Sequence, residues 1–153
     1  MVAMPLILLV SILLAPLFGW PIDSAPVVRR FDPPPQRWLP GHRGVDLAAP
    51  PGAAVRAAGA GTVVFVGIIA GNGVVSVSHA GGLRTTYQPV LAQVTRGEQV
   101  AAGGELGLLE AGHPGCPSAA CLHWGLRRGD AYLDPLALLG LGRVRLLPLS
   151  AGN

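Results

Sequence analysis

The chain has 153 residues, the usual size of one domain, and a second domain has no room in that length. Half of the residues are hydrophobic and only 12% are charged, with 22 glycines and 15 prolines, a composition that argues against disorder and predicts many turns and short strands. The net charge of +3 comes from scattered arginines without an interleaved aromatic stripe, so nothing indicates nucleic-acid binding.

The first 22 residues carry no charged side chain and are largely apolar. This pattern predicts an export signal over residues 1–19, followed by the folded domain over 20–147 and a short tail over 148–153. If the first segment stays uncleaved, about 20 apolar residues at ~1.5 Å each would just cross a hydrocarbon layer of ~30 Å, so a membrane anchor is the alternative. Both interpretations place the domain outside the cytosol, secreted or in the cell envelope.

The first half of the domain contains clear strand and turn signals. The proline-rich segment 31–35 cannot continue a helix or a central strand, and it predicts a rigid arm laid over the domain. The β-branched run at 62–66 lies between glycines and predicts a buried strand. Alternating residues at 74–79, a glycine turn at 80–82 and a polar-apolar run at 83–87 together predict a β-hairpin.

The second half of the domain continues in short elements. Residues 94–109 hold four glycines with short apolar pieces between them, which is typical of small strands at the corners of a compact sheet or barrel. Residues 122–127 predict a further strand, and a closing element at 132–135 precedes a helical turn near 137–139. The predicted fold class is therefore mainly β, a compact antiparallel sheet or barrel-sandwich domain with few or no helices.

The chain has two cysteines, Cys116 and Cys121, separated by four residues. In an oxidising compartment, two close cysteines predict a disulfide. Closing so short a loop stabilises the fold by about 2 kcal/mol in the chain-entropy model, which is less than a long loop would gain. The local effect is larger, because the bond would hold the loop that leads into His123.

The segment Gly41–Asp46 carries the strongest chemical signal, because His42 and Asp46 are candidate metal ligands. An extended chain would hold these two side chains roughly 13 Å apart, so one metal ion requires a helical turn or a sharp bend. Gly44 and the neighbouring prolines favour the bend. With His123, the set offers two nitrogens and one oxygen, which zinc accepts, and leaves a fourth position for a water of lowered pKa. The spacing alone also fits a loop histidine and a turn aspartate.

Several short motifs occur in order around these candidates. They are Gly41–Ala48, Gly52–Ala57, Gly61–Val63, Gly82–Tyr87, Val100–Gly103, Leu122–Arg127 and Asp134-Pro135. Together they resemble the lysostaphin-type, or LytM-like, zinc endopeptidases of bacterial cell walls. The resemblance implies an antiparallel domain with a groove over one sheet, and Zn²⁺ held by His42, Asp46 and His123. It also implies peptidoglycan or its stem peptides as the partner.

The chain departs from this family at two positions that carry chemistry. Family members use two further histidines to orient water and to stabilise the tetrahedral oxyanion, and Pro89 and Cys121 stand in their places here. Proline has no proton to offer. For Cys121 three states remain open: a disulfide with Cys116, which has no ionisable proton, a thiolate that closes the zinc site, and a free thiol that acts as a base.

Two other histidines are candidates for the missing catalytic role. His113 lies in a glycine- and proline-rich loop and is predicted either to swing over the metal as a catalytic group or to be an exposed loop histidine. His79 stands at a hairpin corner, where a structural role is the commoner one. Tyr87 and Trp124 are predicted to line the substrate groove, with core packing as the alternative.

Two functions therefore remain from the sequence. The first is an exported zinc endopeptidase that cuts peptidoglycan peptides with a rearranged set of catalytic groups. The second is a non-hydrolytic relative that keeps the groove and the metal site to bind wall peptides or to regulate another cell-wall hydrolase. Losing a general acid or base costs ~10²- to 10⁴-fold in rate, so the residues at 89 and 121 favour the second mechanism.

Overall fold

The computed structural model describes residues 17–141. The predicted signal or anchor over 1–19 therefore lies almost entirely outside the described residues, and the tail over 148–153 lies wholly outside them. Within the described part, no helix is both long and apolar enough to span a membrane. Phe18 already packs on the domain, because it pairs with Gly59 and its ring occupies the space that a side chain would need there.

Residues 17–141 form a β-rich domain in which every paired strand runs antiparallel to its neighbour. The strands are β1 (Val27–Arg29), β2 (Val45–Ala49), β3 (Ala54–Arg56), β4 (Gly61–Ile69), β5 (Asn72–Ser78), β6 (Leu83–Gln88), β7 (Val90–Ala92), β8 (Gln99–Val100), β9 (Glu105–Leu109), β10 (Ala120–Arg128) and β11 (Ala131–Leu133). Short 3₁₀ helices occur at Ala80–Gly82 and Pro135–Leu139. The predicted fold class, mainly β with few helices, is confirmed.

The larger sheet has the strand order β1-β2-β10-β6-β5-β4-β8, with β11 also paired to β10. The smaller sheet has the order β3-β9-β7, and its buried residues Val55, Val90 and Leu106 belong to the same hydrophobic core as those of the larger sheet. Strand β10 is central because its first part pairs with β2 and its second part with β6. It therefore connects β2, which carries the candidate ligand Asp46, to the strands of the groove.

The two faces of the larger sheet differ because side chains alternate along each strand. On β10, Leu122 and Trp124 are fully buried in the core, whereas His123 and Arg127 line a groove on the other face. Strand β6 continues the same division, because Thr85 and Tyr87 are fully buried whereas Arg84, Thr86 and Gln88 line the groove. The groove expected from the family resemblance is present.

The positions of the strand and the hairpin predicted for the first half are confirmed. The prediction that 62–66 is a buried strand is wrong, because Val63 alone is buried and the outer neighbour of β4 is the two-residue strand β8. In the hairpin expected over 74–87, β5 and β6 pair with Val75 opposite Tyr87. The strand expected over 62–66 is present as β4 and extends to Ile69, because its ladder with β5 continues beyond the core.

The predictions for the second half are also confirmed. The strand expected over 122–127 is the middle of β10. The helical turn expected near 137–139 is the 3₁₀ helix Pro135–Leu139, which begins where the Asp134 carboxylate accepts a hydrogen bond of 3.0 Å from the Leu136 N–H.

A chain of hydrogen bonds ties His79 into the core. Its Nδ1 lies 2.8 Å from the Ala60 carbonyl, which only accepts, so Nδ1 carries the proton and Nε2 accepts from the Thr85 hydroxyl at 2.7 Å. The Tyr87 hydroxyl donates to Thr85 Oγ1 at 2.8 Å and accepts from the Ala58 N–H at 2.9 Å. A neutral His79 ring therefore fixes the direction of each hydrogen bond in this series. His79 has the structural role that the sequence favoured.

We expect His79 to make the fold less stable at low pH. Burial lowers the pKa of His79 from its ordinary value of 6.5, and the hydrogen bond to Ala60 offsets this only in part. The unfolded chain therefore takes up a proton near pH 6.5 and the folded chain only at lower pH. Consequently, the contribution of His79 to the free energy of unfolding is fully present above about pH 6.5, and it is lost as the pH falls below that value.

Between pH 7.5 and 5.5 this residue should account for a loss of at most about 1.4 kcal/mol. Urea unfolding in the presence of a metal chelator measures the loss. His79→Gln cannot take up the proton, so the pH dependence should be smaller in that variant by the same amount. An unchanged pH dependence would contradict the assignment.

Candidate metal centre and groove

The pairing of β2 with β10 places Asp46 directly opposite His123, although the two residues are 77 positions apart. His123 Nδ1 lies 2.9 Å from Asp46 Oδ1, and His42 Nε2 lies 3.0 Å from the same oxygen. The three ligand atoms lie within 4.8 Å of one another, and His42 and Asp46 are buried. The structure thus brings together all three residues that the sequence indicated as metal ligands.

The chain bends between His42 and Asp46 and forms no helical turn there. The predicted proline-rich arm over 31–35 holds the bend in place. His42 N–H donates to the Asp32 carbonyl at 2.7 Å, and Asp32 N–H donates to the His42 carbonyl at 2.9 Å. The His42 ring is held as well, because its Nδ1 lies 2.8 Å from the Arg30 carbonyl. The arm therefore sets the position of the first ligand.

The hydrogen bonds of His42 indicate that a cation belongs between it and Asp46. Because the Arg30 carbonyl only accepts, His42 Nδ1 carries the proton, and Nε2 of the neutral ring presents a lone pair. That lone pair faces a carboxylate oxygen 3.0 Å away, and two acceptors at this distance repel unless a proton or a metal ion lies between them. A carbonyl on the remote ring nitrogen is also the usual support of a metal-bound histidine. The residues therefore fit zinc.

Asp46 is suited to bind a metal as a carboxylate. Burial raises the pKa of its carboxyl group, but the hydrogen bond to His123 and the charges that His42 and His113 carry when protonated outweigh that effect. The net result is a pKa below the ordinary value of 3.8. The group is thus ionised at neutral pH, which is the form that coordinates a cation.

Gly44 leaves the space that the His123 ring occupies, and we expect Gly44→Ala to disturb the metal centre. An added Cβ would lie 2.5 Å from the Trp124 carbonyl oxygen and 2.8 Å from His123 Nε2, so the strand or the ring must move. The expected result is a loss of about 1–3 kcal/mol in the free energy of unfolding and zinc binding weaker by at least ~10-fold.

Chemical unfolding and competition with a chelator measure the two effects of Gly44→Ala. Gly125→Ala is the matched control, because its Cβ would come no closer than 3.5 Å to a neighbour. If both variants bind zinc as the wild type does, the space at Gly44 is not needed for the site.

The two positions that depart from the lysostaphin pattern offer no proton in this structure. Cys116 and Cys121 form the predicted disulfide, with their Cα atoms 5.8 Å apart. A bonded sulfur has no ionisable proton, so the alternatives of Cys121 as a catalytic base and as a thiolate ligand are wrong for this state. Pro89 is buried directly after β6 and has no group to donate.

The prediction that Tyr87 and Trp124 line the substrate groove is wrong. Both side chains have no exposed surface and lie in the core, where the two residues are paired across β6 and β10. Their neighbours Thr86, Gln88 and His123 face the groove, because successive side chains of a strand point to opposite faces. Core packing, the alternative weighed from the sequence, is the role of both residues.

The groove has a volume of about 410 Å³ and runs from His123 along the sheet. Three arginines line it: Arg43, Arg84 and Arg127. Its apolar wall, which sequence reasoning missed, includes Phe65, Ile69 and Tyr132. The sequence signal that could have indicated this wall is the pair Ile68-Ile69, which extends β4 beyond the predicted strand segment 62–66.

His113 lies at the edge of the ligand set. Its Nε2 is 3.5 Å from Asp46 Oδ1, and its ring stacks on that of His123 with centroids 6.0 Å apart. The side chain is only 12% exposed, so His113 is not an exposed loop histidine. The structure brings this residue to the metal centre, and its catalytic role stays a prediction.

The family model of peptidase family M23 matches residues 40–135, which include the three ligand positions and the groove strand β10. The chain belongs to peptidase family M23. The resemblance to the lysostaphin-type endopeptidases is thereby confirmed. The M23 match begins two residues before His42 and ends two residues after Leu133, the last residue of β11.

Two relatives in sequence show how this M23 domain compares with known proteins. The chain is 56% identical over 138 residues to Rv2891, an uncharacterized protein of Mycobacterium tuberculosis, and the match covers 87% of the chain and 55% of that protein. It is 31% identical over 116 residues to the DD-carboxypeptidase/endopeptidase Mpg of Neisseria meningitidis, covering 75% of the chain and 26% of Mpg. The chain thus spans about half the length of its mycobacterial relative.

A solved structure of a zinc-containing peptidase from Vibrio cholerae superimposes with a TM-score of 0.64 at 26% identity. The superposition covers 76% of this chain and 38% of the Vibrio chain.

Proposed function

We propose that this M23 domain holds a zinc ion at His42, Asp46 and His123 and binds carboxylate-bearing peptides of peptidoglycan in its groove, without efficient hydrolysis. The proposal is supported by one combination, a complete ligand set beside positions 89 and 121 that offer no acid or base. Zinc, when bound, supplies a Lewis acid that polarises a peptide carbonyl. Without a group that moves a proton, this polarisation serves recognition more than cleavage.

The arginines of the groove supply the affinity for carboxylates. Arg84 and Arg127 are directly opposite each other on β6 and β10, and like charges in that arrangement destabilise a sheet. Burial lowers the pKa of Arg84, and the facing charge of Arg127 lowers it further. An anion between the two guanidinium groups removes this repulsion, and a carboxylate matches their forked donors. The free carboxylates of a wall peptide provide such an anion.

Arg127→Ala is expected to weaken binding of purified, soluble peptidoglycan peptides by ~10-fold or more, because a hydrogen bond to a charged group contributes about 1.5–3 kcal/mol. Titration calorimetry at low ionic strength measures the affinity. Arg128→Ala is the matched control, because this neighbouring arginine is exposed and lies outside the groove lining. Equal losses in the two variants would mean that non-specific charge attraction drives binding.

The proposed site of action is outside the cytosol, secreted or in the cell envelope. The support is the disulfide between Cys116 and Cys121, a bond that persists in oxidising compartments, together with the apolar segment over 1–19. A binding domain in that place can also regulate another cell-wall hydrolase by occupying its substrate. Fractionation of cells that produce the full chain tests the location, and recovery in the cytosol would contradict it.

A second candidate function is a zinc endopeptidase in which His113 replaces the missing acid or base. The observation in its favour is the position of His113 Nε2, 3.5 Å from Asp46 Oδ1. Digestion of purified peptidoglycan discriminates the two functions. Release of new amino groups that disappears in both His123→Ala and His113→Ala supports hydrolysis, whereas peptide binding without release supports the first proposal.

A further inference from the structure

Three imidazole nitrogens surround a single carboxylate oxygen in this chain. Asp46 Oδ1 lies 2.9 Å from His123 Nδ1, 3.0 Å from His42 Nε2 and 3.5 Å from His113 Nε2. Ligand atoms around a tetrahedral zinc with bonds of ~2.0–2.1 Å lie about 3.3 Å apart. The separation between His113 and Asp46 therefore matches a shared coordination sphere. Among the described residues, however, only His42, Asp46 and His123 have ligand atoms that all lie within 4.8 Å of one another, so His113 must move closer to the two other histidines to join them.

The hydrogen bonding of His113 repeats that of His42. His113 Nδ1 lies 2.8 Å from the Pro114 carbonyl, so it donates, and Nε2, which faces Asp46, is the ring nitrogen that remains for a metal ion. Two acceptors at this distance repel, so either a proton on Nε2 or a metal ion lies between the ring and the carboxylate. His113 therefore presents Nε2 to the Asp46 carboxylate as His42 does, with a backbone carbonyl on Nδ1 in both residues.

The loop that carries His113 is held against the centre by two links. The Cys116 N–H donates to the His113 carbonyl at 3.2 Å, and Cys116 is bonded to Cys121 on β10, two residues before His123. His113 is turned inward, whereas its neighbours Gly112 and Pro114 are exposed. The disulfide thus positions the loop so that its one histidine reaches the ligand set.

We propose that His113 is a fourth protein ligand, drawn inward from the edge of the ligand set when zinc binds. The inference rests on the zinc site of the proposed function and extends it. Four protein ligands close a zinc site, which is the arrangement of structural zinc, and leave no position for a reacting water or a peptide carbonyl. A zinc ion closed in this way would therefore lose the Lewis-acid role of the three-residue site, and peptide binding would depend on the arginines of the groove. The closed zinc site and the absence of an acid or base at positions 89 and 121 both disfavour hydrolysis. The disulfide keeps the site closed, because it holds the loop of His113 near β10.

His113→Ala in the full chain is expected to weaken zinc binding by at least ~10-fold, the lower end of what loss of even a second-shell partner costs. Competition with a chromophoric chelator measures the affinity. With Co²⁺ as the probe, the visible spectrum of the wild type should not respond to added azide, because four protein ligands fill the site, whereas the spectrum of the variant should change as azide replaces the water in its fourth position. Pro117→Ala, in the same loop and without a ligand atom, is the control and should change neither property.

A second variant tests the disulfide. Cys116→Ser combined with Cys121→Ser keeps His113 but frees its loop, so its zinc affinity should fall between those of the wild type and His113→Ala. An affinity equal to that of the wild type would overturn the role of the bond. If the wild type and His113→Ala bind zinc equally tightly with the same cobalt spectrum, His113 is no ligand, although the three-residue site stands. If the wild type binds no zinc, both proposals fail.

Discussion

Asp46→Ala is expected to abolish stoichiometric zinc binding. Asp46 Oδ1 is the atom that His42 and His123 both approach within 3.0 Å, and its carboxylate is the only negative charge in the ligand set. Loss of a second-shell partner already costs ~10- to 100-fold in metal affinity, so loss of the central ligand should cost more than ~100-fold. Metal analysis after dialysis and competition with a chelator give the two readouts.

Stability provides an independent measure of the same substitution. Zinc at about 100 times its dissociation constant stabilises the folded chain by ~2.7 kcal/mol, and Asp46→Ala should lose this zinc-dependent gain. Asp130→Ala is the control, because its side chain is exposed and is not part of the ligand set. One zinc ion retained per chain by Asp46→Ala would place the metal elsewhere.

A histidine at position 121 is expected to produce the largest gain in activity. In Cys121→His combined with Cys116→Ser, an imidazole stands two residues before His123, on the same face of β10, where the lysostaphin-type pattern has its histidine. A general acid or base contributes ~10²- to 10⁴-fold, so the hydrolysis of peptidoglycan peptides should rise by ~10²-fold or more. Pro89 remains, and the full rate of a competent relative is not expected.

The control for this gain is the variant with serine at both cysteine positions. It opens the disulfide and frees the His113 loop but adds no imidazole, so it separates an effect of the new base from an effect of loop opening. Release of amino groups from purified peptidoglycan is the measurement, with His123→Ala as the background. A wild type that already hydrolyses as fast as the histidine variant would refute a binding function.

The parts of the fold that the sequence predicted are those encoded by neighbouring residues. The hairpin over 74–87 combines alternating residues with a glycine turn, and both signals act over a few positions. The prediction failed for Tyr87 and Trp124, because alternation along a strand does not say which face of the sheet becomes the core. That choice depends on the second sheet, whose buried residues share one hydrophobic core with Tyr87 and Trp124.

Residue types and their order along the chain determined the family, the mainly β class, the disulfide and the three candidate metal ligands. Only the tertiary structure decided that His113 reaches Asp46 and that Arg84 faces Arg127, because these pairs form across separate strands and loops. A strand register and a loop path result from packing over the whole domain. Local sequence spacing therefore indicates which chemical groups are candidates for the site, and the packing of the whole sheet determines which of them are in contact.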